Sequence, residues 1–303
     1  MAKPFVKWAG GKGKLLNNLD KLLPKVFSED LAITYIEPFV GGGAILFHML
    51  DSHHNINRVI INDINPALIL CYEIIRDSPN DLIEALRQIE QEYLQNTDQA
   101  SRQAFYYQQR EEYNLSRSSP DNAIDNVRLA ADFIFLNRTC FNGLYRENQK
   151  GGFNVPFGRY ANPIICNEKG IKEASKALQK VTILCGDYRE VLREVKQDEI
   201  TFFYFDPPYR PLNDTASNFN DYTRHEFGDA QQEELRDFCN KINQMDIRFM
   251  VSNSDSKTES GDSYFEQIYQ GQNYRFEYLN APRVINAIAT KRSPQREIVI
   301  VNY

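Results

Sequence analysis

Tyr35-Ile36-Glu37-Pro38-Phe39-Val40-Gly41-Gly42-Gly43 reads as an apolar strand that ends in three glycines, and the helix-like run Ala44-Ile45-Leu46-Phe47-His48-Met49-Leu50 follows at once. A strand, a glycine turn and a helix start form a nucleotide-binding corner, because residues without a Cβ let the backbone come close to a ligand. About twenty residues further on, Arg58-Val59-Ile60-Ile61-Asn62-Asp63 ends a second strand on an acid, the place from which doubly wound folds hold a pair of ribose hydroxyls. A tight turn with no ligand would explain the glycines alone. The spacing to Asp63 favours the cofactor corner.

Further apolar runs extend the pattern. Strands are expected near 33–39, 58–63, 181–185, 200–206, 247–252 and 297–302, with helical periodicity between them. Strand-helix alternation before residue 76 and again after 170 predicts an α/β fold, a doubly wound and mostly parallel sheet with ligands at the carboxyl ends of its strands. Gly41, Asp63, Asp187 and Asp206 all fall at such ends. Between the two halves, Pro79 to Leu94, Gln103 to Tyr113 and Asp121 to Leu136 read as helices without a βαβ unit, so an inserted helical subdomain is expected. The division is then 1–70 with 171–303 for the sheet, and 71–170 for the insert.

The run Ile200 to Phe205 leads into Asp206-Pro207-Pro208-Tyr209. An ionised Asp206 and the Pro207 carbonyl are both acceptors, and proline has no N–H to compete. They suit a planar amino nitrogen such as adenine N6, whose delocalised lone pair becomes nucleophilic as its two N–H groups are drawn to acceptors. Tyr209 supplies a ring for the base to stack on. A strand followed by an incidental prolyl turn is the plainer alternative.

Near the start, Phe5-Val6-Lys7-Trp8-Ala9-Gly10-Gly11-Lys12-Gly13-Lys14 sets the single tryptophan among lysines and glycines. It lacks the spacing of a phosphate-binding loop, since no Ser or Thr follows Lys12. A flexible basic terminus is the bland alternative, but an indole is costly to leave in water and its face suits an adenine ring or a sulfonium.

Together these stretches resemble the Dam-type N6-adenine DNA methyltransferases, the D12 class or alpha group, in which the cofactor motif precedes Asp-Pro-Pro-Tyr. The resemblance covers nearly the whole chain. It includes Asn62-Asp63-Ile64-Asn65 and the middle block from Phe141-Asn142-Gly143-Leu144-Tyr145-Arg146 to Phe153-Asn154-Val155-Pro156-Phe157-Gly158-Arg159-Tyr160. It implies S-adenosylmethionine as methyl donor and double-stranded DNA as partner, with an adenine swung out of the duplex. It implies that 71–170 recognises the target and that the remainder is catalytic.

Residue by residue, the resemblance assigns Trp8, Lys12, Asp63 and Asp206 to the cofactor, with Phe39, Gly41 and Gly43 as the floor of its site. Gly186-Asp187-Tyr188, at the end of Val181 to Leu184, looks like a further motif near the cofactor adenine. Asp206, Pro207 and Tyr209 carry catalysis, so Asp206 serves two ligands. Leu144, Arg146 and Pro156 match positions that touch the recognition bases, Lys7 matches a lysine facing DNA, and Phe141, beside Asn142, matches an aromatic that wedges into the duplex. The family's usual residue there is Tyr; Phe141 still inserts between base steps but has no hydroxyl to hydrogen-bond. The implied target is GATC, with longer sites sharing GAT as the alternative. Methylation of another planar nitrogen, in RNA or a protein glutamine, and a silent DNA-binding regulator are the rival readings.

Composition agrees with an enzyme of this kind. The 303 residues are 42% hydrophobic and 12% aromatic, enough for a sizeable core. No apolar run reaches the roughly 18 residues of a membrane span, and no secretory signal follows Met1-Ala2-Lys3-Pro4, so a cytoplasmic protein with no membrane partner is expected. A monomer is expected, with a cognate restriction endonuclease as a further partner where one exists. Cys71, Cys140, Cys166, Cys185 and Cys239 show neither disulfide nor zinc spacing, and no metal is expected. The net charge of -6 opposes DNA binding in bulk, yet Lys3, Lys7, Lys12, Lys14, Lys21 and Lys25 face only Asp20 over residues 1–25. Arg138, Arg146, Lys150 and Arg159 face only Glu147 in the middle block, and Lys291, Arg292 and Arg296 form a third basic set. Arg210 to Tyr222 is polar and poorly periodic and reads as a mobile loop, with an ordinary surface connection as the alternative; the resemblance implies that it lies over the substrate entrance, with Phe219 or Tyr222 helping to hold the displaced base.

Overall fold

The structure is a computed structural model that describes residues 2–118, 125–212, 227–281 and 295–303. Its centre is a seven-stranded sheet: β1 (Ile33–Glu37), β2 (Ile56–Asp63), β3 (Val181–Cys185), β4 (Ile200–Phe205), β5 (Arg248–Ser254), β6 (Arg275–Ala281) and β7 (Gln295–Val301). The order is β3-β2-β1-β4-β5-β7-β6, with β1 to β5 parallel and β7 antiparallel to both of its neighbours. The expected doubly wound, mostly parallel α/β sheet is therefore present. β6 was not anticipated: it is an edge strand whose Phe276 and Tyr278 alternate with Arg275 and Glu277, so it has no continuous apolar run.

Alternation across the inner strands builds two cores. Tyr35, Ile61, Phe202 and Tyr204 point to one face and Ile36, Ile60, Phe203 and Phe205 to the other. After the short α1 (Leu16–Asp20), helices α2 (Ala44–Ser52) and α3 (Pro66–Asp77) cover the first face, and α8 (Asp229–Gln244) covers the second with Leu235, Phe238, Cys239 and Ile242. Burial on both sides explains why these strands read as near-continuous apolar runs. Because the chain runs outward in opposite directions from β1 and β4, their carboxyl ends flank the crevice where such sheets bind ligands.

Between β2 and β3 lie α4 (Pro79–Gln95), α5 (Gln99–Ser118), α6 (Asn126–Thr139) and α7 (Glu168–Leu178). α5 is longer than its expected 103–113, and the start of the third expected helix lies outside the described residues. α6 is buried along most of its length and packs on α3, α4 and α5, so the helical block and the first face of the sheet share one core. Residue 70 lies inside α3.

Candidate active site and nucleic-acid interface

The glycine turn is clamped between its neighbours. The Gly41 N–H donates to Asp63 Oδ2 at 3.0 Å, and the Tyr72 hydroxyl donates to the Gly41 carbonyl at 2.9 Å. Asp63 Oδ1 accepts the Asn65 N–H, and Asn65 caps α3 by accepting from Ala67 and Leu68, with Pro66 at the first helical position. The cap explains why a helix starts directly after the acid. Burial raises the Asp63 carboxyl, and the backbone N–H groups of Asn65 and Gly41 pull against it. Asn62 spans the strand ends by donating to Pro38 and Gly186 carbonyls, while its buried Oδ1 has no partner among the described residues.

Trp8 lies against the turn so closely that a Cβ on Gly41 or Gly42 would come within 2.9 Å of it. Its indole stacks on Tyr145 of the middle block at 5.5 Å. Gly43 differs from the other turn glycines. It caps α2 with φ 75°, and a Cβ there would meet the Tyr72 hydroxyl, so packing on α3 by itself requires a glycine at this position. Phe39 sits among Tyr188, Phe205 and Phe227. Asp187 caps the turn Tyr188–Glu194 through the Arg189 N–H and pairs with the Arg189 guanidinium, which holds its carboxyl below the usual range.

At the end of β4, Lys12 Nζ lies 2.7 Å from Asp206 Oδ1 and 4.3 Å from the centre of the Tyr209 ring. Lys12 is only 3% exposed, so this is an internal ion pair. Burial pushes the Asp206 carboxyl up to about 6, against the pull of Lys12. The Tyr209 hydroxyl donates to Glu297 Oε2 at 2.8 Å. Beneath them, Tyr35 donates to buried Glu37, whose carboxyl burial raises well above its ordinary range. The prolyl turn is fixed from α8 and β5: Gln232 Nε2 donates to the Pro208 carbonyl, and Asn253 Oδ1 accepts the Arg210 N–H. Among the described residues the Pro207 carbonyl accepts no hydrogen bond. Arg210 pairs with Asp229 and lies over the Tyr264 ring, so the segment expected to be a mobile loop starts from a fixed residue. Phe219 and Tyr222 lie outside the described residues, as do Lys291 and Arg292. Arg296 is paired with Asp255.

The middle block is a narrow two-stranded loop rooted at the end of α6. Cys140 bridges Phe157, Glu147 bridges Phe153, and the Phe141 N–H donates to the Pro156 carbonyl at 2.8 Å. Asn142 has φ 56°, a left-handed turn that an asparagine tolerates, and it leaves Phe141 51% exposed. Arg146 donates to Asn154 from an exposed position, Leu144 is half-buried, and Pro156 is exposed. Lys7 joins this block across 130 residues: its backbone exchanges two hydrogen bonds with the Asn137 amide, and its ammonium lies 4.2 Å from the Tyr160 ring. The structure thus brings Lys7, Phe141, Asn142, Leu144, Arg146 and Pro156 together, and Trp8 links them to the glycine turn. Sequence reading missed Glu297, Gln232, Asn253 and Asn137. An acid directly before the apolar run Ile298 to Val301 was the only local mark of Glu297, and it says nothing of what that acid reaches.

Residues 8–282 match the family described as D12 class N6 adenine-specific DNA methyltransferase. The chain is 44% identical over 302 residues to the type II methyltransferase M.MjaIII of Methanocaldococcus jannaschii, with 99% of each chain covered. It is 34% identical over 306 residues to a type II methyltransferase of Lactococcus lactis, covering 99% of this chain and 95% of that one. It is 33% identical over 300 residues to a DNA adenine methylase of Haemophilus influenzae, covering 99% and 93%.

Proposed function

The chain belongs to the D12 class N6 adenine-specific DNA methyltransferases and acts as a DNA adenine methyltransferase; on that premise we propose that it takes the methyl group from S-adenosylmethionine and places it on an adenine swung out of a GATC duplex. The helical block and its loop, within 71–170, recognise the site, and 1–70 with 171–303 carry the chemistry. The enzyme works as a monomer on double-stranded DNA in the cytoplasm.

S-adenosylmethionine supplies an electrophilic methyl group on a sulfonium when bound. The corner fits it. Each Asp63 oxygen takes one backbone donor and keeps a lone pair for a ribose hydroxyl, and Asn62 offers a buried acceptor with no partner among the described residues. Trp8, Lys12, Phe39, Gly41, Gly43, Asp63, Asp187 and Asp206 would hold the cofactor, and Gly43 also keeps α2 close against α3.

The target amino group is handled by this chain's own residues. Asp206 and the Pro207 carbonyl accept its two N–H groups, and the Tyr209 ring stacks on the base. The observation that carries this reading is a half-buried Asp206 and the Tyr209 ring around one lysine, next to a Pro207 carbonyl that accepts no hydrogen bond among the described residues, at the same strand ends as Asp63. Phe141 wedges into the duplex, offsetting the few kcal/mol that base extrusion costs. Arg146, Leu144 and Pro156 read bases, with Asn142 and Lys7 beside them.

Tritium transfer from labelled S-adenosylmethionine to duplexes that differ at one base of GATC tests the assignment. Transfer to GATC alone is expected. Asp206→Ala should abolish transfer while leaving duplex affinity largely intact. Equal transfer to duplexes lacking GATC would overturn the target, and normal transfer by Asp206→Ala would overturn the catalytic assignment.

A further inference from the structure

One oxygen of Asp206 and the face of the Tyr209 ring are already occupied by the same ammonium. Lys12 Nζ sits on Asp206 Oδ1 at 2.7 Å and above the Tyr209 ring at 4.3 Å, in the space between acceptor and ring. A second carboxylate faces the same ammonium. Glu297 Oε2 lies 4.0 Å from Lys12 Nζ and accepts the Tyr209 hydroxyl at 2.8 Å. Glu297 reaches this place because β7 runs antiparallel to β5, with Glu297 opposite Ser254, so its first residues lie at the carboxyl ends of the parallel strands. Its side chain is 13% exposed. At that burial a lone carboxylate or a lone ammonium is expensive, and two carboxylates around one ammonium leave a net negative charge that one partner alone does not balance.

We propose that Glu297 is a positioning residue that receives the Lys12 ammonium when Asp206 is taken up by the target amino group. This rests on the reading of Asp206 as the N6 acceptor. The short swing from Asp206 to Glu297 keeps the lysine paired and clears the face of Tyr209 for the base. Because Glu297 also holds the Tyr209 hydroxyl, the ring stays in place while the ammonium moves.

Glu297→Gln is the decisive variant, because the amide oxygen still accepts from Tyr209 while the charge is lost. At saturating cofactor and GATC duplex, its single-turnover rate should fall roughly tenfold, with cofactor and duplex affinities and thermal midpoint unchanged. In a Lys12→Gln background the same substitution should change the rate by less than about twofold, since Glu297 acts through Lys12. Carbon-13 titration of the Asp206 carboxyl in the ligand-free protein supplies a readout apart from turnover. Glu297→Gln should move that titration to lower pH, as the lysine settles fully on Asp206. A wild-type rate for Glu297→Gln, an equal loss in both backgrounds, or an unmoved titration would overturn the proposal. Turnover surviving in Asp206→Ala would instead sink the catalytic reading beneath it.

Discussion

The Gly41 N–H donates to Asp63 Oδ2 at 3.0 Å, which ties the turn after β1 to the acid that ends β2. The two residues belong to different motifs, and their contact makes one object of the proposed cofactor corner. Tyr72 fixes the carbonyl of the same residue from α3, so the turn cannot relax without disturbing the helix that Asn65 caps.

Asp63→Asn tests how much the charge contributes. The amide nitrogen cannot accept, so one of the two backbone bonds is lost or a side-chain flip exchanges which one. Loss of a charge-assisted bond is worth about 1.5 to 3 kcal/mol. The expected result is a fall of roughly tenfold to a hundredfold in S-adenosylmethionine affinity by calorimetry. Affinity equal to that of the wild type would remove Asp63 from the cofactor site.

Gly43→Ala should act on stability. The new Cβ would meet Tyr72 Oη at 2.4 Å and Phe47 Cε2 at 3.2 Å, on a backbone at φ 75° that alanine adopts only under strain. A loss of about 1 to 3 kcal/mol in urea unfolding is expected. Gly13→Ala is the control, since nothing lies within 4 Å of its Cβ, and it should unfold like the wild type. Equal stability of the two variants would contradict the packing role of Gly43.

The role proposed for Asp206 predicts an acidic limit to activity. Burial raises its carboxyl to about 6, and below that pH it carries a proton that would face the amino group donor to donor. The methyl-transfer rate should fall about tenfold per pH unit below that point and level off above it. Lys12→Gln should move the limit to higher pH, because the ammonium holds the carboxyl down. A single-turnover profile flat from pH 5 to 8, a range chosen to bracket about 6, would show that the ionised carboxylate is not required.

Much of this site could be read in sequence because its acids end strands buried on both faces. Ile33 to Glu37 and Ile200 to Phe205 are apolar without alternation, and each hands over to a turn that cannot be strand, Gly41-Gly42-Gly43 or Pro207-Pro208. The order of the motifs carried the rest. What escaped depends on pairing across long separations. Nothing local to Gln295–Val301 says that β7 runs against β5, so Glu297 gave no sign of reaching Tyr209. Nothing local to Asn137 says that its amide holds the Lys7 backbone, 130 residues away, from both sides. Only the fold brings the Tyr72 hydroxyl to the Gly41 carbonyl.

Phe141 separates recognition from chemistry. Its ring is 51% exposed, and the contact that places it is a backbone bond to the Pro156 carbonyl, which Phe141→Ala preserves. Removing an exposed ring should change folding stability by less than about 0.5 kcal/mol. Cofactor affinity should not change, since the loop reaches the proposed cofactor corner through Tyr145 on Trp8, a contact that Phe141→Ala leaves in place. Base extrusion should suffer, because the wedge that fills the vacated stack is gone. With 2-aminopurine replacing the target adenine, the fluorescence rise on binding should fall at least threefold, a readout of about 0.7 kcal/mol in the extrusion equilibrium. An undiminished rise in a folded Phe141→Ala protein would show that another group opens the duplex.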